Sequence, residues 1–112
     1  MATSDLYGKC PYVTSQKVIS GKWNMLILHY IHISGPIRFG ELLRMLPDLS
    51  QATLTKQLRW LENKMLISRE VFAEVPPRVE YSLTNLGMEF LPVLEAYEEF
   101  GLKYIAFLRQ NQ

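Results

Sequence analysis

The spacing of apolar residues changes period twice along this chain, and that change constrains its fold more than any other feature. Between residues 23 and 65 the apolar side chains recur at helical intervals. Trp23, Leu26, Ile27, Tyr30 and Ile31 stand at i, i+3, i+4, i+7 and i+8, and Phe39, Leu42, Leu43 and Leu46 repeat the pattern. Leu54, Leu58, Leu61 and Met65 form a thinner third seam. From Ile67 the period is two. Ile67, Arg69, Val71 and Ala73 alternate with Ser68, Glu70 and Phe72, and later Val79, Tyr81 and Leu83 alternate with Arg78, Glu80 and Ser82. Glu74-Val75-Pro76-Pro77 between them cannot continue a ladder, so the two runs predict a β-hairpin. Helical spacing then resumes. Thr84 is the expected cap of one last helix, with Leu86, Phe90, Val93, Leu94, Tyr97, Phe100, Tyr104 and Leu108 along one side. Pro92 marks a site for a kink in it and Gly101 a site for a break.

Punctuation residues supply the remaining boundaries. Pro11 favours the first position of a helix, which puts Cys10 at the N-cap of a short helix over 11–20 with Val13, Val18 and Ile19 as its apolar members. Ser34-Gly35-Pro36 ends the second helix, Ile37 has room for one strand residue, and Pro47 ends the third helix. Ser50 is a good N-cap for the fourth, and Pro47-Asp48-Leu49 is short enough for a tight turn. Three helices, a hairpin and a closing helix give a mainly α fold with a small β-hairpin wing: the order of a winged helix-turn-helix, with helix four as its recognition helix. The expected layout is loose polar residues over 1–9, then a single domain over 10–112. Within it the helix-turn-helix covers about 38–64, the wing about 67–83 and a C-terminal helix about 85–110.

With 112 residues, 48% of them hydrophobic, the chain can bury one core without disulfide or metal staples, which excludes a disordered chain. One cysteine cannot form an internal disulfide. No apolar run approaches the ~18 residues of a membrane span, and no signal peptide opens the chain, so a cytoplasmic protein without membrane contact is expected. The formal net charge is only +1, which excludes a strongly basic coat. Its distribution says more. Residues 1–65 hold eight basic and four acidic side chains, or +4, while residues 66–112 hold four and seven, or −3. A polyanion belongs on the first half.

Opposite the leucine seam of helix four lie Gln51, Ala52, Thr55, Lys56 and Arg59, a small hydrogen-bonding face with two cations and no carboxylate. Any amphipathic helix has a wet side, and that bland reading stands beside the functional one. The residue types nevertheless suit DNA. Gln51 can read an adenine edge, Arg59 can reach guanine or phosphate, and Ala52 or the Thr55 methyl can meet a thymine methyl. Ser50 and the open amides of the helix N-terminus suit a phosphate oxygen. Arg38 suits a phosphate or is an ordinary surface arginine. Arg78, after two stiff prolines, can enter the minor groove or bind backbone, or it pairs with Glu74 or Glu80. The expected DNA-binding set is Arg38, Ser50, Gln51, Ala52, Thr53, Thr55, Lys56, Arg59 and Arg78.

Other chemistries find less support. His29 and His32 with Cys10 lack a fourth ligand, so neither a metal nor another cofactor is expected. Dispersed methionines at 25, 45, 65 and 88 read as core filler. There is no Gly-rich phosphate loop, no nucleophile beside a histidine base and no carboxylate pair with a neighbouring acid/base partner, since adjacent Glu98 and Glu99 point two ways on a helix; no catalytic residue is assigned and an enzyme is not expected. The rival to DNA binding is a winged helix that binds only protein or RNA. Leu91, Ile105 and Phe107 widen the apolar surface of the last helix beyond one stripe. They predict either a homodimer or packing on helices one and two.

Several short runs stand out in order: Cys10-Pro11, Ile19-Ser20-Gly21-Lys22-Trp23, Gly35-Pro36-Ile37-Arg38-Phe39-Gly40-Glu41-Leu42 and Leu46-Pro47-Asp48-Leu49-Ser50-Gln51. They continue through Leu54-Thr55-Lys56-Gln57-Leu58, Leu61-Glu62, the run from Glu74 to Thr84, and Leu86-Gly87. By this set the chain closely resembles the HxlR-type transcriptional regulators of bacteria. Asn85 stands where the family usually has a basic residue or proline. The resemblance implies a DNA-binding repressor or activator, with repression the expectation, acting as a homodimer through its N- and C-terminal helices on a pseudo-palindromic operator in double-stranded DNA. Several such regulators sense oxidants, electrophiles or aldehydes through a cysteine near the N-terminus, which implies a reactive small-molecule effector acting at Cys10. Pro11 places that thiol beside open backbone amides and Lys9, a setting suited to a reactive cysteine; the other reading is a small hydrophobe seating helix one.

Overall fold

Helix ends fall where the punctuation residues stand. The computed structural model describes residues 6–112, and the first five residues of the expected loose segment lie outside the described residues. Over 6–9 the chain makes a turn, with the Lys9 and Cys10 N–H groups donating to the Leu6 carbonyl at 3.0 and 2.8 Å. Then follow α1 (Pro11–Val18), α2 (Asn24–Ser34), β1 (Ile37–Arg38), α3 (Phe39–Met45), α4 (Gln51–Asn63), β2 (Ile67–Phe72), β3 (Arg78–Leu83), α5 (Asn85–Met88) and α6 (Leu91–Gln110).

The hairpin forms as the alternation predicts. β2 and β3 pair antiparallel with Arg69 opposite Tyr81 and Phe72 opposite Arg78. The lone strand residue becomes two: β1 joins the outer edge of β3 through Ile37–Tyr81 and Arg38–Glu80, giving a three-stranded sheet in the order β1-β3-β2. Ile27, Leu28, Ile31, Leu42, Leu54, Leu58, Leu61 and Ile67 pack between the helices and this sheet as the buried core.

Three expectations are corrected. In α2 the buried positions are Asn24, Ile27, Leu28 and Ile31, whereas Leu26 is exposed. That face has the same i, i+3, i+4, i+7 spacing as the expected stripe but is turned by one residue, because Trp23 lies at the N-cap and Asn24 folds its amide back onto the Ser20 carbonyl. Met65 leaves the core seam. It is 64% exposed with φ of 65°, and closes α4 by donating its N–H to Glu62 while Leu66 donates to Leu61. Reciprocal bonds of this kind satisfy the last carbonyls of a helix.

The single closing helix is two. Thr84 caps α5, its hydroxyl accepting from the Gly87 N–H at 3.0 Å, and Phe90 starts α6. Pro92 therefore sits in the first turn of α6, where no backbone N–H is needed, instead of kinking a helix interior. Gly101 lies inside an unbroken α6. No residue of α1 or α6 is buried.

Candidate nucleic-acid interface

The N-terminus of α4 is fixed before any ligand arrives. The Ser50 hydroxyl accepts from the Thr53 N–H at 3.1 Å and donates to Thr53 Oγ1 at 2.9 Å. Both hydroxyls are thus drawn into the cap. One turn on, the Thr55 hydroxyl donates to the Gln51 carbonyl at 2.9 Å, which leaves its methyl and oxygen lone pairs for another molecule.

Gln51, Ala52, Thr55, Lys56 and Arg59 together line one open groove on the outer side of α4. No carboxylate lines it. The nearest acid along the helix, Glu62, pairs instead with Arg69 at 3.6 Å, at the junction of α4 with the hairpin. Against that junction Tyr81 is buried, and burial pushes its hydroxyl above the ordinary tyrosine value of 10.0, opposed by Arg69 and Arg59 and reinforced by Glu62.

The other expected cations lie elsewhere. Arg38, at the N-cap of α3, donates its backbone N–H to Glu41 Oε1 at 3.1 Å and leaves its side chain exposed. It shares a second open groove with Arg44, a residue that spacing alone did not single out. Both side chains are exposed, and the Glu41 carboxylate lines the same groove between them. Arg78 is held in the wing. Its guanidinium contacts Glu74 at 3.0 Å and Glu80 at 3.5 Å, with its central carbon 4.0 Å from the centre of the Phe72 ring. The ion-pair reading of Arg78 is the one the geometry adopts.

Cys10 occupies the N-cap of α1, half-exposed and without a side-chain capping bond. His29 and His32 border a small cleft with Ile33, Leu91, Leu94, Glu95 and Glu98, and among the described residues no three His, Cys, Asp or Glu side chains are arranged to hold a metal ion. No described helix is long and apolar enough to cross a membrane.

A mostly helical body, a three-stranded antiparallel sheet and a capped helix presenting a cationic groove define a winged helix-turn-helix protein. More narrowly, the chain belongs to the HxlR-like helix-turn-helix family, whose sequence profile matches residues 18–108. It is 42% identical over 102 residues to YdeP, an uncharacterized HTH-type transcriptional regulator of Bacillus subtilis, covering 91% of this chain and 79% of that one. Among solved structures it is similar to the redox regulator HypR in its reduced form, at 38% identity and a TM-score of 0.83, covering 90% of this chain and 99% of HypR. The reduced transcriptional regulator YodB of B. subtilis follows at 33% identity and 0.71, covering 81% and 89%. The family is one of transcriptional regulators and not of enzymes.

Proposed function

We propose that the chain is a sequence-specific DNA-binding transcriptional regulator that lays α4 in the major groove. The observation that carries this reading is the groove itself: Gln51, Ala52, Thr55, Lys56 and Arg59 share one open surface without a carboxylate. Lys56 and Arg59 meet phosphate or guanine, Gln51 meets adenine, and the Ala52 and Thr55 methyl groups meet thymine. Ser50 and Thr53 shape the helix start for a phosphate oxygen. Arg38 and Arg44 contact the backbone from α3. Arg78 stiffens the wing through its ion pairs with Glu74 and Glu80 and so supports the hairpin beside the DNA.

The working unit is a homodimer in the cytoplasm, with α1 and α6 in the interface. Tyr97, Phe100, Leu102, Tyr104, Ile105, Phe107 and Leu108 of α6 are all exposed in the single chain, too much apolar surface for a free helix. Two-fold symmetry presents two α4 helices to a pseudo-palindrome, and binding there represses by occupying the promoter. An oxidant or electrophile switches the dimer at Cys10, the only cysteine, by joining two protomers or adding a small thiol or adduct. HypR is a redox regulator and YodB has been treated with diamide, which supports the analogy.

The test is an electrophoretic shift with the DNA flanking the chain's own gene, before and after diamide, for wild type and Cys10→Ser. A sequence-dependent shift that diamide alters only in wild type is expected. No shift, with a protein or RNA partner retained instead, overturns the DNA reading; an equal diamide response in both proteins overturns the Cys10 switch.

A further inference from the structure

Three leucines bury α4, and they lie on one seam. Apolar contacts along a single line are non-directional, so they fix where the helix lies better than they fix its rotation about its own axis. A second face of α4 supplies what the seam lacks. Gln57, Trp60 and Lys64, at i, i+3 and i+7, point away from both the leucines and the groove, and each meets the segment before α2.

The central contact is directional. Trp60 Nε1 donates to the Val18 carbonyl at 2.9 Å, across 42 residues of sequence. Val18 is the last residue of α1, so its carbonyl is one that the helix cannot satisfy internally. Two ammonium groups sit on the same indole, Lys17 Nζ at 5.6 Å and Lys64 Nζ at 4.7 Å from the ring centre. Lys64 Nζ is also 5.5 Å from the Tyr7 ring, in the turn that leads into α1. One turn earlier Gln57 lies against Gly21, where φ is 124° and a Cβ would come within 2.9 Å of Gln57 Oε1. α1 buries none of its own eight residues fully; Val18 packs against the core, and the Trp60 bond with the Lys17 contact ties the helix to α4.

We propose that Trp60 is a positioning residue for DNA recognition: through the Val18 carbonyl it locks the rotation of α4 to α1, so that the base-facing groove is held at one angle to the rest of the dimer. This rests on the DNA-binding dimer proposed above. Trp60 itself touches no DNA. A displacement of α1 turns the groove, and a bound duplex in turn holds α1 in place, because coupling between two sites is reciprocal.

The experiment uses the full chain and the duplex that wild type enriches from a random-sequence pool. Affinity is measured for that duplex, for versions with the half-sites moved one or two base pairs apart, and for a single half-site. Trp60→Phe keeps an aromatic ring and removes the N–H. A second variant carrying β-(3-benzothienyl)alanine at Trp60 keeps the full bicyclic shape and removes the N–H alone, so it decides the matter if the phenylalanine variant fails to fold. Both variants are expected to lose about tenfold on the enriched duplex, the scale of one buried hydrogen bond. Their spacing preference flattens, while single half-site affinity changes by less than about twofold on the same scale. Unchanged affinity and spacing preference in both variants overturns the proposal, as does an equal loss on the single half-site. If wild type enriches no duplex at all, the DNA-binding reading has failed, an outcome distinct from either.

Discussion

Gly87 packs its Cα directly on the backbone of Leu66, so that a Cβ there would stand 3.1 Å from the Leu66 carbonyl carbon and overlap its oxygen. The same carbonyl accepts from the Thr84 N–H at 3.1 Å, and the Thr84 hydroxyl reaches the neighbouring Met65 carbonyl. The base of the wing and the start of α5 are therefore joined backbone to backbone. Gly87→Ala must push them apart, and a stability loss of about 3 kcal/mol is expected. Urea unfolding checks it: the midpoint falls while the slope stays constant, and an unchanged midpoint contradicts the close approach.

The opposite sign is expected two residues before that junction strand. Met65 holds φ of 65° to close α4, a conformation that costs an L side chain about 1 kcal/mol, and its side chain is 64% exposed with little packing to lose. Met65→Gly is therefore expected to stabilise the fold by up to about 0.5 kcal/mol, net of the extra freedom glycine gives the unfolded chain. A lower thermal midpoint in the variant contradicts this account of the helix end.

Tyr81 gives the fold an alkaline limit. Burial raises its folded value above the 10.0 of an exposed tyrosine. The unfolded chain then releases the phenolic proton first, so this contribution is intact below pH 10 and is lost as pH rises from the unfolded toward the folded value. In urea melts taken from pH 9 upward, Tyr81→Phe is expected to flatten part of the decline. Parallel curves for the two proteins contradict the assignment.

Much of this was legible because the determining physics is local. Pro11, Ser34-Gly35-Pro36, Ser50 and the two-residue period after Leu66 set element ends through backbone geometry, and the groove on α4 follows from the helical repeat alone. What was not legible depends on contacts that spacing does not encode. Leu28 rather than Leu26 faces inward because Trp23 lies at the N-cap and Asn24 bonds back to Ser20, and Met65 turns outward because a left-handed residue was needed there. Trp60 carries no periodic signal that marks it as the partner of a carbonyl 42 residues earlier. Arg78 had acids on both sides within four residues, and the geometry uses both.

The exposed face of α6 predicts association. Phe100 and Tyr97 are 64% and 62% exposed in the single chain. Light scattering at micromolar concentration is expected to give twice the chain mass of 13.0 kDa, and Phe100→Asp is expected to shift the population toward one. A wild-type mass of one chain contradicts the dimer.

The most direct test of the central claim is the salt dependence of binding to the enriched duplex, measured side by side for wild type, Lys56→Ala and Arg59→Ala. Lys56→Ala is expected to weaken every duplex alike and to lower the slope of log affinity against log salt by about one counterion. Arg59→Ala is expected to cost about 1–3 kcal/mol on the enriched duplex and to relax base preference at one position. Wild-type affinity and slope in both variants would contradict the assignment of the α4 groove to DNA.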